Sequence, residues 1–283
     1  MKRVLKPQWL KIQLPQTAEY NWMNKTIKNN NLHTICTSGR CPNAAECWKN
    51  GTATFMILGN ICTRACKFCN VKTGKPLPID NDEPLRIAQS VKIMKLKHAV
   101  ITSVDRDDLS DCGASIWTET ILKIKELNPN TTIEVLIPDF QGKKELIQQI
   151  IDTKPEVISH NMETVKRLTP LIRSKAKYET SLSVLKYIAD SGIVAKTGIM
   201  LGLGETDSEI LETMNDTKSV GVKIFTLGQY LQPTTKNIAV SEYITPEKFK
   251  FFEKEGIKLG FKFVESGPLV RSSYRAERHC SGE

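Results

Sequence analysis

The sequence contains no apolar run approaching the ~18 residues that a membrane-spanning helix needs, so no span is expected. Its first residues, Met1 to Tyr20, are basic but lack the apolar core of roughly 7–15 residues that marks a secretory signal. A transit peptide matches no better, because Pro7, Trp9, Leu10, Leu14 and Pro15 read as packed structure starting almost at once. A cytoplasmic protein is the expectation. There is no internal repeat, low-complexity tract or long linker. Also missing is any basic block interleaved with aromatics. The formal net charge of +9 therefore reads as Lys and Arg scattered over a solvated surface, and no nucleic-acid partner is expected. A modest attraction to an acidic protein partner is a further reading of the same charge.

What is present is the composition of a soluble globular chain: 283 residues, 40% hydrophobic and 25% charged. That length allows one large or two small domains. It is also enough chain to bury its own core, so a monomer is expected. After a cysteine-rich stretch ending near Asn70, strand-like and helix-like segments alternate. The strand candidates are 54–58, 98–103, 132–137, 156–159, 194–201 and 223–227. Amphipathic stretches lie between them at 85–95, 116–127, 143–151, 179–190, 207–220 and 246–259, with Asp207 a candidate N-cap. Repeated βα units favour a parallel sheet with right-handed crossovers, and six of them fall short of the eight of a complete barrel. The expected fold is α/β, a partial (β/α)6 barrel open on one side. Its chemistry should gather at the C-terminal strand ends, where the cysteine-rich loop after the first strand would sit.

Of eight cysteines, Cys36, Cys41, Cys47, Cys62, Cys66 and Cys69 fall within 34 residues, leaving Cys112 and Cys280 apart. In a long chain without a secretory signal, clustered thiols more often hold metal than form disulfides. The spacing Cys62-x3-Cys66-x2-Cys69 is the sharpest signal. Three thiolates on one short loop hold three irons of a cubane cluster and leave the fourth iron open to chelate S-adenosylmethionine (SAM) and deliver an electron to its sulfonium. The radical chemistry then belongs to the cofactor. A structural zinc site usually takes four ligands, often as paired CxxC, and the bacterial ferredoxin run has a different spacing. The second group, Cys36-x4-Cys41-x5-Cys47, is weak alone: it reads as a zinc site, as buried thiols, or as an auxiliary cluster site. An auxiliary cluster would serve electron transfer or donate its own sulfide.

With both cysteine motifs in this order, the sequence resembles the lipoyl synthases of the radical SAM superfamily. Other matching segments are 6–11, 40–43, 46–48, 51–59, 102–109, 160–161, 198–205, 229–233 and 266–274, so the resemblance covers nearly the whole chain. It implies insertion of two sulfur atoms, at C6 and C8 of a protein-bound octanoyl-lysine, with two SAM molecules spent and sulfur supplied by an auxiliary [4Fe–4S] cluster. Two [4Fe–4S] clusters are then implied. Cys62, Cys66 and Cys69 would hold the SAM cluster, and Cys36, Cys41 and Cys47 the auxiliary one. Ser273, the second serine of Arg271-Ser272-Ser273-Tyr274, would be its fourth ligand, a hard oxygen where a soft thiolate is usual. For SAM, Phe68 would lie against the adenine. Ser103, Asn161 and Glu163, which follow strand candidates, would meet the ribose or the methionine part, and Gly202 and Gly204 would let backbone approach closely. The implied organisation is an N-terminal extension 1–50 with the auxiliary motif, a radical SAM partial barrel 51–265, and a C-terminal segment 266–283.

The implied partners are an octanoylated lipoyl carrier domain (the glycine-cleavage H protein or an acyltransferase subunit of a 2-oxoacid dehydrogenase), a ferredoxin or flavodoxin electron donor, and an iron–sulfur cluster donor. The sequence departs from the family at Asp111-Cys112-Gly113, at Asn60 and Asn70, and at Glu265, none of them a proposed ligand. Cys112 reads as a packed small residue, and His279-Cys280 as part of a mobile tail. Rival readings fit less well. Methylthiotransferases carry their auxiliary cysteines in a separate domain, biotin synthase scatters its auxiliary ligands through the barrel, and a non-catalytic cluster carrier needs no barrel.

Overall fold

A computed structural model describes residues 6–11, 21–23, 25, 27, 34, 36, 41 and 43–280; Leu14, Pro15, Arg40 and Pro42, singled out above, lie outside them, as do the outer ends of the 1–50 and 266–283 segments. The described residues divide into two compact units interleaved in sequence. One holds the described residues between 21 and 64 with Val71–Ser159 and 275–280. The other holds 6–11, Ala65–Asn70 and His160–Tyr274.

The first unit runs α1 (Ala44–Lys49), β1 (Thr52–Ile57), a short parallel pair β2 (Ile61–Cys62) and β3 (Lys72–Thr73), α2 (Glu83–Ile93), β4 (His98–Ser103), α3 (Ala114–Leu127), β5 (Thr132–Leu136), α4 (Lys144–Asp152) and β6 (Val157–Ser159). Strands β1, β4, β5 and β6 pair in that order, all parallel. All six residues of β1 are buried, Thr52 and Thr54 among them, as expected of a parallel strand covered on both faces. Helix α4 buries Leu146, Ile147, Ile150 and Ile151, a spacing that puts them on one face. The register sets Ile57 beside Ser103, Thr102 beside Leu136, and Leu136 beside Ser159. The C-terminal ends of these strands are therefore level.

The second unit contains α5 (Thr169–Ile172), α6 (Tyr178–Asp190), β7 (Val194–Leu201), α7 (Asp207–Ser219), β8 (Ile224–Gln229), α8 (Pro246–Lys258) and β9 (Phe263–Gly267). Here β7, β8 and β9 pair in parallel. The six expected strands are present within two residues of their predicted ends, while the short pair β2 and β3 and the strand β9 were not revealed by the sequence pattern. In β9 the interior Glu265 and half-exposed positions break the apolar signature, and pairing to β8 is what makes it a strand. The cap of α7 also differs from expectation. Thr206, in extended conformation, accepts from Glu209 N, while Glu209 returns a bond to the Thr206 amide. This capping box satisfies both orphan amides, so Asp207 becomes the first helical residue and pairs with Lys248 instead, at 2.7 Å. No helix among the described residues is long and apolar enough to cross a membrane.

Candidate functional site

Cys62 ends β2 on the loop that follows β1. Its Sγ accepts backbone N–H bonds from Arg64 at 3.4 Å and Asp105 at 3.3 Å, and lies 3.6 Å from Asp105 Oδ2. The local fold rests on Arg64. Its guanidinium forks onto Asp107 (2.9 and 2.8 Å) and onto Asp139 (2.9 and 2.8 Å), with Asp105 at 3.4 Å. The side chains of Arg64, Asp107 and Asp139 are 5%, 8% and 4% exposed, so these are buried charges. Burial opposes the guanidinium charge, but the Asp107 and Asp139 carboxylates outweigh it and raise the Arg64 pKa. Burial is also what lifts Asp105, against the pull of Arg64. Asp105 and Asp107 follow β4 and Asp139 follows β5, so one side chain ties the thiol loop to two strand ends. The Asp105-to-Asp108 run was visible as a motif, but its partner was not.

In the other unit Cys66 and Cys69 share a tight turn, Cys69 N donating to Cys66 O at 3.1 Å. Three neighbours hold its backbone. Lys67 N donates to Ile172 O at 2.9 Å, Ala65 N to Ser174 Oγ at 3.0 Å, and Asn237 Nδ2 to Cys69 O at 2.8 Å. Phe68 is half-buried within this turn. Ser174 and Asn237 carried no sequence signal, since each acts on backbone distant in the chain.

Cys36, Cys41 and Cys47, none of them in a disulfide, belong to the first unit. Burial first, and then Cys41, push the Cys36 pKa up to about 11, against hydrogen bonds from Thr54 and Trp48. Burial, then Cys41 and Cys36, then the Glu277 and Glu46 carboxylates push Cys47 up to about 12. Cys41 acts electrostatically on both Cys36 and Cys47, so the three thiols lie near one another. Only a cation would offset the cost of ionising them together, and a bound metal deprotonates its thiols outright. Glu277 accepts from Thr52 Oγ1 at 3.0 Å, which fastens the C-terminal turn beside β1. Cys280 Sγ lies 3.8 Å from His98 Nδ1 and His279 is buried, so these residues pack against β4 and not in the expected mobile tail. Burial of strand-facing side chains overrides terminal position. Cys112 is buried in a turn, as its small size implied.

The remaining predicted residues sit at strand ends. Ser103 is the last residue of β4, and its Oγ is buried with no hydrogen-bond partner. Ser159, the last residue of β6 and overlooked in the sequence, has a hydroxyl in the same condition. In the second unit Asn161 Nδ2 donates to Glu163 Oε1 at 3.1 Å and to Ser272 Oγ at 2.9 Å, while its Oδ1 is buried and unbonded. Glu163 adopts a left-handed φ of 66° and bridges to β7 through Gly198 O and Met200 N. Burial raises its carboxyl pKa, against Arg173 and Asn161. Ser272 is thus a site residue that the sequence did not single out beside its neighbour. Ser273 is half-buried in the same turn, which ends with Tyr274 N on Arg271 O at 2.9 Å. That turn is seated on β8, where a Cβ on Gly228 would stand 2.2 Å from Val270 O. Gly202 has φ 97°, and a Cβ there would meet Gln229 Nε2 at 2.2 Å; its amide bonds the Glu205 carboxylate. Gly204, at φ 103°, has only Ser241 nearby.

These residues fit thiolate-held clusters and SAM. None of the six clustered cysteines is in a disulfide, Cys62 Sγ receives backbone N–H groups as a metal-bound thiolate does, and buried Ser103 Oγ and Asn161 Oδ1 lack a protein partner. Among the described residues no three His, Cys, Asp or Glu side chains converge as they would on one ion. A cubane sets its thiolates on separate corners, so it needs no such convergence.

Known proteins carry the same pattern. The radical SAM superfamily profile matches residues 56–217, and that of the N-terminal domain of lipoyl synthase of the radical SAM family matches residues 1–41. The lipoyl synthase of Parabacteroides distasonis is 61% identical over 97% of this chain and 98% of its own length. That of Treponema denticola is 62% identical over 97% and 94%. Among solved structures, Streptococcus suis SuiB bound to its precursor peptide SuiA shares the fold at a TM-score of 0.63 and 12% identity, over 91% of this chain and 56% of that one. Radical SAM chemistry implies a [4Fe–4S] cluster and SAM. With identity this high along almost its entire length, and both thiol groups in place, the chain belongs to the lipoyl synthase family of radical SAM enzymes.

Proposed function

We propose that the chain performs the family's reaction with two [4Fe–4S] clusters, inserting sulfur at C6 and C8 of an octanoyl-lysine on a lipoyl carrier domain. The observation that carries this reading is the pair of thiol trios outside any disulfide, one on the loop after β1 and one at Cys36, Cys41 and Cys47, where Cys41 acts electrostatically on both of the others. When bound, the cofactors supply one electron per SAM, a 5′-deoxyadenosyl group reactive enough for an unactivated C–H bond, and sulfide for the new C–S bonds. The chain's own residues hold and orient. Cys62, Cys66 and Cys69 bind the SAM cluster, and the Arg64 clamp keeps Cys62 in place. Cys36, Cys41 and Cys47, with Ser273 as the fourth ligand inferred by resemblance, bind the auxiliary cluster. Asn161, oriented by Ser272 and Glu163, presents Oδ1 to SAM, and Ser103 Oγ makes a second polar contact. Phe68 packs on the adenine, and Gly202 and Gly204 keep the backbone of their turn close.

The carrier is the glycine-cleavage H protein or an acyltransferase subunit of a 2-oxoacid dehydrogenase. A ferredoxin or flavodoxin reduces the protein, and an iron–sulfur donor rebuilds the spent cluster. The protein works as a monomer in the cytoplasm. The test is a mass spectrum after anaerobic reconstitution with iron and sulfide, adding SAM, a strong reductant and a peptide bearing octanoyl-lysine. Two sulfurs on the octanoyl chain are expected. SAM cleavage without sulfur transfer would overturn the substrate reading. In the same assay Ser273→Cys is expected to keep its iron but slow the insertion.

A further inference from the structure

Cleaving SAM costs one electron per molecule, and protein side chains are not reductants of that strength, so the electron enters from a partner at the surface. The thiol loop reaches that surface. Ala65, Lys67 and Asn70 are exposed, and Cys66 between them is half-buried. The backbone on either side of Cys66 is held by one segment, through Ser174 Oγ on Ala65 N at 3.0 Å and Ile172 O on Lys67 N at 2.9 Å. That segment is strongly basic. From residue 166 to 179 it carries Lys166, Arg167, Arg173, Lys175 and Lys177 against the single acid Glu179.

Some of this charge is already engaged. Lys166 pairs with Glu179 at 3.2 Å, Arg167 with Glu209 at 2.6 Å, and buried Arg173 donates to Met162 O and Ser181 Oγ. Lys175, which also has a partner within the protein, and Lys177 are exposed beside a hollow that Thr169 and Tyr178 also line, and exposed Lys67 projects from the thiol loop itself. We propose that this basic segment, 166–179 with Lys67, is the docking surface of an acidic one-electron carrier protein. Charge complementarity selects the partner's sign and speeds encounter. A carrier seated here lies against the backbone of Cys66, and electron tunnelling needs only proximity. An acyl-lysine substrate needs an opening to the reacting carbon, which makes it the poorer occupant of a surface next to the thiol loop.

The inference rests on the radical SAM reading above. The electron count closes simply. The carrier is oxidised by one electron, and the C5′–S bond of SAM breaks to methionine and a 5′-deoxyadenosyl group. That group becomes 5′-deoxyadenosine on taking one hydrogen from the substrate.

The experiment measures 5′-deoxyadenosine formation by the reconstituted protein with two reductants: dithionite, and an acidic flavodoxin kept reduced by its NADPH-dependent reductase. In the double variant Lys175→Glu, Lys177→Glu the flavodoxin-driven rate at low salt is expected to fall roughly tenfold or more, while the dithionite rate stays within about twofold of the unaltered protein. The flavodoxin rate of the unaltered protein should also fall with salt more steeply than that of the variant. Equal flavodoxin rates in the two proteins would overturn the proposal. So would a parallel loss with dithionite, which would assign the segment to holding the thiol loop, or weakened binding of octanoylated H protein with flavodoxin supply intact. If the unaltered protein cleaves no SAM even with dithionite, the radical SAM reading itself fails, and this proposal with it.

Discussion

Replacing Arg64 by Met removes a buried cation that forks onto two carboxylates and leaves Asp107 and Asp139, 8% and 4% exposed, without their counter-charge. Breaking a buried ion pair from one side costs about 3–5 kcal/mol, because the abandoned charge stays desolvated. Two carboxylates are abandoned here, so the upper part of that range applies. Against the 5–15 kcal/mol or so that holds a domain, this is a large fraction. At about 2–4 °C per kcal/mol for a chain of this size, the melting midpoint of the iron-free protein should drop on the order of 10 °C. Adding Asp107→Asn and Asp139→Asn to Arg64→Met should recover a good part of the loss, since the penalty lies in unpaired charge, and the cycle should be strongly non-additive. Arg64→Lys should sit between, because an ammonium cannot fork onto both partners. Calorimetry on the iron-free proteins reads the first effect. Iron analysis after reconstitution reads the second: the Met variant should retain its auxiliary cluster but lose about four irons, because the amide and strand-end contacts of Cys62 depend on the clamp. A midpoint shift under ~2 °C with full iron content would refute the reasoning.

Gly202→Ala forces a residue with φ 97° to carry a Cβ 2.2 Å from Gln229 Nε2 and 2.3 Å from Glu242 O; a loss of about 2–4 kcal/mol is expected in chemical denaturation, against a smaller loss of about 1–2 kcal/mol for Gly204→Ser, which has room for a Cβ beside Ser241 but still pays the left-handed strain of φ 103°. Ser272→Ala deletes the 2.9 Å acceptor of Asn161 Nδ2 and should weaken SAM binding roughly tenfold by calorimetric titration while iron content is unchanged. Hydrogen bonding from Arg167, then from the Thr206 amide, holds the Glu209 carboxyl down to about 2. A depressed folded pKa gives stability that is complete above the unfolded value near 4.5 and disappears as pH falls toward 2. Glu209→Gln should therefore cost about 1 kcal/mol or less at pH 7 and nothing below pH ~2, a difference that denaturation at both pH values reads directly.

Much of this protein was legible without coordinates. Thiol spacing is a local property: Cys62, Cys66 and Cys69 lie on one short loop whatever the rest of the chain does, and the cluster they can hold follows from their number and separation. The six expected strands were equally legible. Burial on both faces of a parallel sheet forces apolar stretches such as 55–58 in and after β1 and 99–101 in β4, and the helices between them repeat on a 3.6-residue period. What the chain order concealed are the interactions between segments far apart in sequence. Arg64 meets Asp139 across 75 positions, Asn161 meets Ser272 across 111, and Lys67 leans on Ile172. No periodicity encodes such pairings, because each is decided by which strand ends the parallel register brings level. The strand β9 and the packed His279-Cys280 turn belong to the same class, with too little apolar signal of their own and a conformation supplied by the neighbours that bury them. Sequence was enough for the ligand inventory and the order of the elements. Which side chains steady those ligands was settled only when the strands paired, since a buried charge or amide takes its partner from the surrounding fold.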